Sequence, residues 1–531
     1  MTMREKFLYT MLTVSLIWGT LVLIWPVLVW FVLPLLAIWV IGLYDMWQTR
    51  HTVLRLYPFF GHFRYIFESI RPEIQQYFVE DDTNGVPVSR EFRSLIYQRA
   101  KGQNDNRPFG TLFDTYRVGY EWTLHSLQIP TSAEKPSRIM IGADRCQHPY
   151  SASRFNISAM SYGAISPHAI KALNRAAHQG GFYQNTGEGG LSPYHLEEGG
   201  DLVWQIGTGY FSCRNREGSF NREEFAKRAT EAAVKMIEVK LSQGAKPGHG
   251  GVLPAAKVND EIAKIRIVEK GQDVISPPTH SAFSTPVGLL EFVTELRELS
   301  GGKPVGFKMS IGHQHEFYAI CKAMLATGLR PDFITIDGAE GGTAAAPVEF
   351  TNSVGTPLRD ALHFVNNTLI GFGLRDDLKL IASGKAFSSF HVLRLMALGA
   401  DMVNSARGMM FALGCIQSRS CHTDKCPTGI ATQNPDRYQQ LNIADKAKRV
   451  KQYQASVIKN LQQLAGAIGL DCPSEMNPNY LLRRISVTEV KNYAELFPIM
   501  QQGCLQEMTC VPEQHKKVWQ QASAYSWRAE K

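Results

Sequence analysis

Nine cysteines in 531 residues are too few for a disulfide scaffold, so any that cluster are expected to be metal ligands or reactive thiols in a reducing compartment. The chain also lacks a long Lys/Arg block. Its 56 basic and 48 acidic residues leave a formal net charge of +8 spread along the length, which gives no reason to expect a nucleic-acid partner. With 44% hydrophobic and 20% charged residues, a disordered chain is excluded, and the length exceeds what one ordinary domain needs. No G-x-G-x-x-G fingerprint follows a predicted strand, so a nicotinamide nucleotide would have to act through another protein. Glycine is present at 44 residues and is bunched in runs such as Gly187–Gly190, marking loops that approach a ligand closely.

One stretch lacks charge altogether. The 38 residues from Phe7 to Tyr44 contain no Asp, Glu, Lys, Arg or His. A single straight helix of that length would measure about 57 Å, roughly twice the hydrocarbon thickness of a bilayer, so two passes fit better than one. Pro26 lies near the middle and can open the turn. Arg4 and Lys6 precede the stretch and Arg50, Arg55 and Arg64 follow it, which places both flanks and the rest of the chain on the cytoplasmic side. Trp18, Trp25, Trp30, Trp39 and Trp47 are available as interfacial anchors. One tilted span with an interfacial segment is the alternative; a cleaved signal peptide is disfavoured by the length of the apolar run. Residues 1–50 therefore read as a transmembrane hairpin. Residues 51–150 carry no interpretable motif and are expected to pack on the following domain or dock it to the lipid surface.

From about Arg154 to Arg407, β-branched runs alternate with helical stretches. Eight strands are predicted, at 155–160, 182–185, 202–206, 236–241, 305–310, 333–337, 379–383 and 401–405. Their light alternation suits parallel strands covered on both faces, and about 250 residues suit a (β/α)₈ barrel, placed at 151–440, with an open doubly wound sheet as the alternative. Ser242–Lys303 reads as a Gly/Pro-rich insertion over the barrel mouth. Beyond the barrel, 441–531 is expected to be a helical extension, with Val450, Tyr453, Val457, Leu461 and Leu464 along one helix face.

In such a barrel the chemistry sits where strands end. The segments there are polar and glycine-rich: Ser161-Tyr162-Gly163-Ala164, Thr186-Gly187-Glu188-Gly189-Gly190, Gly338-Ala339-Glu340-Gly341-Gly342, Ser383-Gly384-Lys385 and Ser405-Ala406-Arg407-Gly408. Each run alone is weak evidence, but several in register are not. The last two suggest a phosphate site on Gly384 and Gly408, helped by Lys385 or Arg407. Lys240 and Lys308 lie inside apolar strands, and a buried ammonium needs an anionic partner. A flavin, anionic on reduction, would supply one; Glu238 or another carboxylate would equally do so. Glu188, hemmed by glycines, is a candidate for positioning ammonia or exchanging protons, against the plainer role of a solvated loop carboxylate.

Cys415, Cys421 and Cys426 form C-x5-C-x4-C followed by Pro427. Three thiolates and a proline resemble iron–sulfur ligation, and a three-iron cluster suits the absence of a nearby fourth cysteine. Zinc on Cys₃His with His422 is the rival. The other six cysteines are scattered and are expected to be buried thiols.

Residues from about 150 to 470 resemble the synthase (FMN-binding) domain of glutamate synthase. The resemblance rests on Met160–Pro167, Asn185–Gly190, Ile237–Gly248, Ile275–Pro278, Asp337–Thr343 and the cysteine triplet running into Cys426–Gln433, all in the family's order. It implies FMN in a (β/α)₈ barrel, contacted around Ser161, Gly163, Lys240, Lys308, Gly341 and Gly342, and a [3Fe–4S] cluster on Cys415, Cys421 and Cys426. It also implies reduction of 2-iminoglutarate, made from 2-oxoglutarate and ammonia, with electrons passing from donor to cluster to flavin. Glu188 matches the family's glutamate near the ammonia route, and Lys246 and Arg266 match its 2-oxoglutarate-binding cations. Two cations suit a dicarboxylate, each carboxylate taking a charge-assisted hydrogen bond.

Two positions depart from that pattern: Val252 stands where the family has a substrate-contacting glutamine, and His249 replaces an acidic residue, so a related 2-oxo or amino acid is a candidate substrate. No glutaminase segment precedes the barrel in this sequence. Ammonia is therefore expected from elsewhere, and electrons from an external donor that is ferredoxin-like or membrane-bound. A flavin and iron–sulfur electron-transfer component without synthase activity is the competing expectation; a non-redox barrel with structural zinc is a third.

Overall fold

The computed structural model describes residues 1–130 and 138–530. Two compact units divide the chain, Met1–Arg90 and Glu91–Lys531, so a boundary falls inside the segment 51–150.

The first unit opens with two apolar helices. Met3–Ile24 and Pro26–Trp47 are each 22 residues and apolar enough to cross a membrane by length and composition. Helix α1 is Met3–Ile24, capped by a reciprocal Thr2–Glu5 box. After Trp25, a 3₁₀ turn at Pro26–Phe31 leads into α2, Val32–Trp47. Pro26 does open the turn, as its lack of an N–H favours at a helix start. The helices run antiparallel: Trp39 Nε1 donates to Ser15 Oγ at 3.0 Å, and the Phe7 ring lies against Gly42, where a Cβ would come within 2.0 Å of it. A short α3, Thr52–Leu56, an exposed α4, Gly61–Ile74, and a π-helical turn, Gln75–Val79, follow.

The second unit is built on a closed barrel of eight parallel strands: β1 Phe155–Ile157, β2 Gln184–Asn185, β3 Leu202–Ile206, β4 Val234–Lys240, β5 Val305–Met309, β6 Phe333–Asp337, β7 Lys379–Ser383 and β8 Met402–Ser405. Sequence order is spatial order, and β8 pairs with β1 to close the ring, Val403 opposite Phe155. All eight predicted strands are present, five with shifted bounds. Residues 158–160, expected in β1, already belong to the mouth loop.

Ser242–Lys303 is not all insertion. It contains the helix Pro286–Leu299, the crossover between β4 and β5, started by Thr285 capping Gly288 N with Pro286 at its first position. Only the segment before it, with the small antiparallel pair Val252–Leu253 and Val274–Ile275, is extra to the barrel.

The barrel floor is closed by a hairpin, Ile139–Ile141 paired with Tyr150–Ala152. Ile141, Tyr150 and Ala152 pack with Tyr183, Val203, Met236, Phe333, Ile381 and Met402 into an apolar layer. Above it the interior turns polar. The Glu238 carboxylate, 1% exposed, accepts from Asn185 Nδ2 at 2.8 Å, Gln205 Nε2 at 2.7 Å and Thr335 Oγ1 at 2.6 Å. Four strands are thus tied through one side chain.

The long helix Ile443–Ile468 packs across the helix Pro167–Gly180. Val450, Tyr453, Val457 and Leu461 are buried on its face as expected; Leu464 is only half-buried, and Ala465 fills the place foreseen for it. The remainder is not purely helical. Leu481–Arg484 pairs with Val490–Asn492 and with Glu121–Thr123, giving a three-stranded sheet. Glu121 anchors it, its carboxylate meeting Arg359, Arg394 and the Tyr493 hydroxyl.

Candidate active site at the barrel mouth

At the carboxyl ends of the strands lies a small polar cavity of about 60 Å³. Its wall is made by small residues and by cations. Ser161, Gly187, Gly341, Gly342 and Gly384 line it together with Lys240, Lys308 and Arg407, and Glu188 reaches into it from the loop after β2. No aromatic side chain plugs this mouth among its lining residues. Close backbone approach explains two of the glycines. Gly187 has φ +66°, and a Cβ there would lie 2.6 Å from Ser161 N; at Gly244 a Cβ would lie 1.7 Å from Gly338 O.

Both buried strand lysines have carboxylate partners, and neither partner is Glu238. Lys240 Nζ stands 2.7 Å from Glu188 Oε1, and Lys308 Nζ stands 3.2 Å from Asp337 Oδ2, which also accepts from Gly244 N at 2.9 Å. Burial alone would raise the Glu188 carboxyl, but Lys240, Lys246 and Arg266 together hold it below its ordinary value. Lys246 and Arg266 do not line the cavity themselves. Lys246 Nζ donates to Ala345 O at 3.1 Å, and burial pushes its ammonium down to about 8 against the pull of Glu188. Arg266 donates to Tyr162 O at 2.9 Å, lies over the Phe211 ring at 4.9 Å, and keeps a buried Nε–H without a partner; burial lowers it to about 10.

Three expected cofactor contacts fall outside the lining. Gly163 instead gives room to the arginine, since a Cβ there would meet Arg266 Nη2 at 3.1 Å. Gly408 is a packing glycine, where a Cβ would meet Ser405 Oγ at 2.6 Å and Tyr453 Oη at 2.7 Å. Lys385 is half-buried beside Arg407, which lowers its affinity for a proton after burial has done so. Arg407 holds Glu340 O at 2.6 Å. Sequence reasoning missed Ser158, Gln205, Gln243, Asp337 and Ser383, which also line the cavity. Polar strand-end positions were the available signal. Gln243 Nε2 is buried there with no partner, a donor free for a ligand acceptor.

The loop after β8 carries Cys415, Cys421 and Cys426. Cys426 is buried, and although burial raises its thiol, Thr428 Oγ1 at 3.4 Å and the backbone N–H groups of Ala431, Thr428 and Ile430 leave it below the ordinary value. Burial pushes Cys415 up to about 12, and raises Cys421 together with its neighbour Cys426. The Lys257 ammonium is close enough to feel Cys421 and Cys426, and donates to Ala164 O and Ala431 O, each at 3.0 Å. The loop holds left-handed backbone at Gln417, Arg419 and Asp424, conformations that persist only where surroundings dictate them. It is stitched to the loop after β1: Gln433 Nε2 donates to Gly163 O and Ile165 O, and Ser166 Oγ to Gly429 O at 2.7 Å. His422 is exposed, and among the described residues no group of three or more His, Cys, Asp or Glu side chains is arranged to hold a single metal ion, whether Cys₃His or the three cysteines alone.

A closed parallel barrel with a polar cavity of paired lysines and carboxylates at its carboxyl mouth has the layout of a barrel enzyme, whose site lies at the strand ends. The chain belongs to the glutamate synthase family of oxidoreductases: the conserved region in glutamate synthase matches residues 107–471. Glutamate synthase large subunit-like protein YerD of Bacillus subtilis is 38% identical over 480 residues, covering 83% of this chain and 91% of its own. The archaeal glutamate synthase [NADPH] of Methanocaldococcus jannaschii is 35% identical over 324 residues, 61% of this chain. The chain spans 60% of that archaeal relative's length and 20% of the Bacillus subtilis glutamate synthase [NADPH] large chain, which is 30% identical over 335 residues.

Proposed function

We propose that this chain is a membrane-anchored, FMN- and iron–sulfur-dependent oxidoreductase of glutamate synthase type, which reduces 2-iminoglutarate, or the imine of a related 2-oxo acid, with electrons from an external protein donor. The observation that carries the reading is the Glu188–Lys240 pair inside the mouth cavity, with the Lys246 and Arg266 charges acting on the same carboxylate.

The residues present fit the groups the family implies. A floor of Gly341, Gly342 and Gly384, the flanking Arg407 and the unpartnered Gln243 amide suit FMN, with Lys240 and Lys308 compensating negative charge on it. Lys385 and Gly408 would reach its phosphate only after local rearrangement. Three thiols on one loop suit a [3Fe–4S] cluster, since several irons take one thiolate each and the ligands need not meet at a single ion. Flavin, when bound, supplies two electrons to the imine carbon, one pair in a single transfer.

Everything else falls to side chains. Lys246 and Arg266, which stand behind the cavity lining, would reach the two carboxylates of the substrate after local rearrangement and there draw negative charge away from the reacting carbon. Glu188, kept ionised, holds ammonium in the mouth by charge; once solvent has taken one of its protons, ammonia adds to the 2-oxo carbon and water leaves to give the imine. Lys257 and the Gln433 stitches hold the cysteine loop against the loop after β1, so that a cluster on the three cysteines would be fixed relative to the barrel mouth.

Oxidation of the chemically reduced full-length protein, followed at flavin wavelengths on adding 2-oxoglutarate and ammonium, is the test. Reoxidation that needs both compounds is the expected result. Bound flavin and iron without any reoxidation would overturn the synthase reading in favour of an electron-transfer component, the alternative that apolar Val252 favours. Protein lacking flavin and iron would defeat both.

A further inference from the structure

We propose that α4 lies in the plane of an anionic bilayer surface with its apolar stripe in the lipid. The proposal rests on the reading that the two N-terminal helices span the membrane. Phe63, Ile66, Phe67, Ile70 and Ile74 recur at the three- and four-residue spacing of one helix face, and Phe78 follows in the π turn Gln75–Val79. Every one is exposed, Phe67 by 61% and Phe78 by 83%. A continuous apolar stripe left open to water marks an interaction surface. Arg64 and Arg71 border the stripe on one edge and Glu73 on the other, with Glu68 farther round.

Three observations choose lipid as the occupant. The first turn of α4 is fastened to the end of α2: His62 Nε2 lies 2.9 Å from Asp45 Oδ2, which also accepts from Phe59 N at 2.9 Å. Gly61 packs on Leu54, where a Cβ would stand 2.9 Å from Leu54 Cδ2. The helix therefore starts at the level where the second apolar helix ends, which is the depth of the headgroups. From Gln48 to Val79 four arginines stand against two glutamates before the acidic run Glu80-Asp81-Asp82, so a basic balance that favours anionic lipid holds over α3 and α4 and not over the segment after them. An apolar stripe bordered by guanidinium groups that can reach the headgroups is the pattern of a helix that lies on a membrane rather than through it.

The test uses the full-length protein in vesicles of phosphatidylcholine with phosphatidylglycerol, the phosphatidylcholine carrying a photoreactive diazirine on its acyl chain, with labelled residues mapped by mass spectrometry. Label on both α1 and α2, and on the stripe of α4 but not on Arg64, Glu68 or Arg71, is the expected result. Label should fall in vesicles of phosphatidylcholine alone, and a Phe67→Asp/Ile70→Asp variant should lose it from α4 while keeping it on α1 and α2. Label on the hairpin with none on the stripe overturns the proposal and leaves the anchor standing. A stripe unlabelled because it is cross-linked to a second copy, or label on α4 unchanged in the variant, overturns it as well. No label on α1 and α2 removes the anchor, and the proposal with it.

Discussion

Glu188 Oε1 stands 2.7 Å from Lys240 Nζ, joining the glycine-rich loop after β2 to the last residue of β4 across the barrel mouth. Both side chains are largely withdrawn from water, at 15% and 9% exposure, so the pair is a commitment of the fold and not a surface ornament. It holds an ionised carboxylate beside the cavity at the place where the flavin and the substrate are proposed to meet.

Removing one partner should therefore be worse than removing both. Glu188→Gln leaves the Lys240 ammonium buried without countercharge and should lower stability by about 3 kcal/mol, whereas Glu188→Gln with Lys240→Met should recover much of it. The pair's contribution also has a direction in pH. The folded Glu188 carboxyl sits below its ordinary 4.5, so its stabilisation is fully present above that value and is lost as pH falls through the lowered one. Denaturant titrations at neutral and acidic pH check this; a Glu188→Gln variant as stable as the parent at neutral pH would contradict it.

Lys246 should impose an alkaline limit on carboxylate binding. With its ammonium at about 8, the apparent KM for the 2-oxo acid should rise about tenfold per pH unit above that point, while kcat changes less. Lys246→Arg should flatten the profile. Stability should move the other way: between about 8 and the ordinary 10.5 the unfolded chain binds the proton more tightly, so this residue makes folding more favourable as pH rises. A KM independent of pH up to 10 would exclude Lys246 from the substrate's carboxylates.

The cysteine loop should lose iron selectively. Cys421→Ser should yield protein with flavin but little iron, whereas Cys321→Ser, at a buried thiol on the helix Gln314–Thr327, should keep both. Lys257→Met removes a buried cation from beside Cys421 and Cys426 and should make the cluster harder to reduce, lowering its midpoint potential in an EPR-monitored titration. An unchanged potential with full iron content would show that Lys257 only braces the loop through Ala164 and Ala431.

Glu238→Gln should destabilise the barrel although the shapes match. Asn185, Gln205 and Thr335 all donate to the carboxylate, and an amide offers one oxygen where two accepted. One buried donor is left facing an NH₂ group, which costs about 1–3 kcal/mol. Thermal unfolding of the two proteins checks it. A melting temperature equal to the parent's would mean that the interior rearranges to accept the amide.

Much of the barrel was legible. Parallel strands buried on both faces must be short, apolar and β-branched, so runs such as Phe333–Asp337 and Lys379–Ser383 are recognisable with their exact neighbours unknown. The crossover helix Pro286–Leu299 was missed although Thr285 and Pro286 signal its start, because the glycine and proline density around it dominated. The strand pair at Leu481–Arg484 and Val490–Asn492 was hidden for another reason: its third partner, Glu121–Thr123, lies some 360 residues earlier, and no local pattern records such a pairing. At the site, Lys240 and Lys308 stood out as charges in apolar strands, yet nothing in their neighbourhoods named Glu188 and Asp337 as partners, and the adjacent Glu238 was the obvious wrong choice.

Sequence alone determined what the chain must do with its apolar residues and which groups are available for chemistry. An uncharged run of 38 residues forms two apolar helices, eight β-branched runs have to be covered on both sides, and three cysteines fall on one loop. Tertiary structure decided which of those groups meet. Closing the ring brings strand ends from distant parts of the chain within hydrogen-bonding reach. Only there does a glycine become the space for Arg266, a lysine acquire Glu188, and Glu238 turn from a counter-ion into the tie between four strands, because electrostatic and hydrogen-bond energies fall off over a few ångströms that sequence separation does not measure.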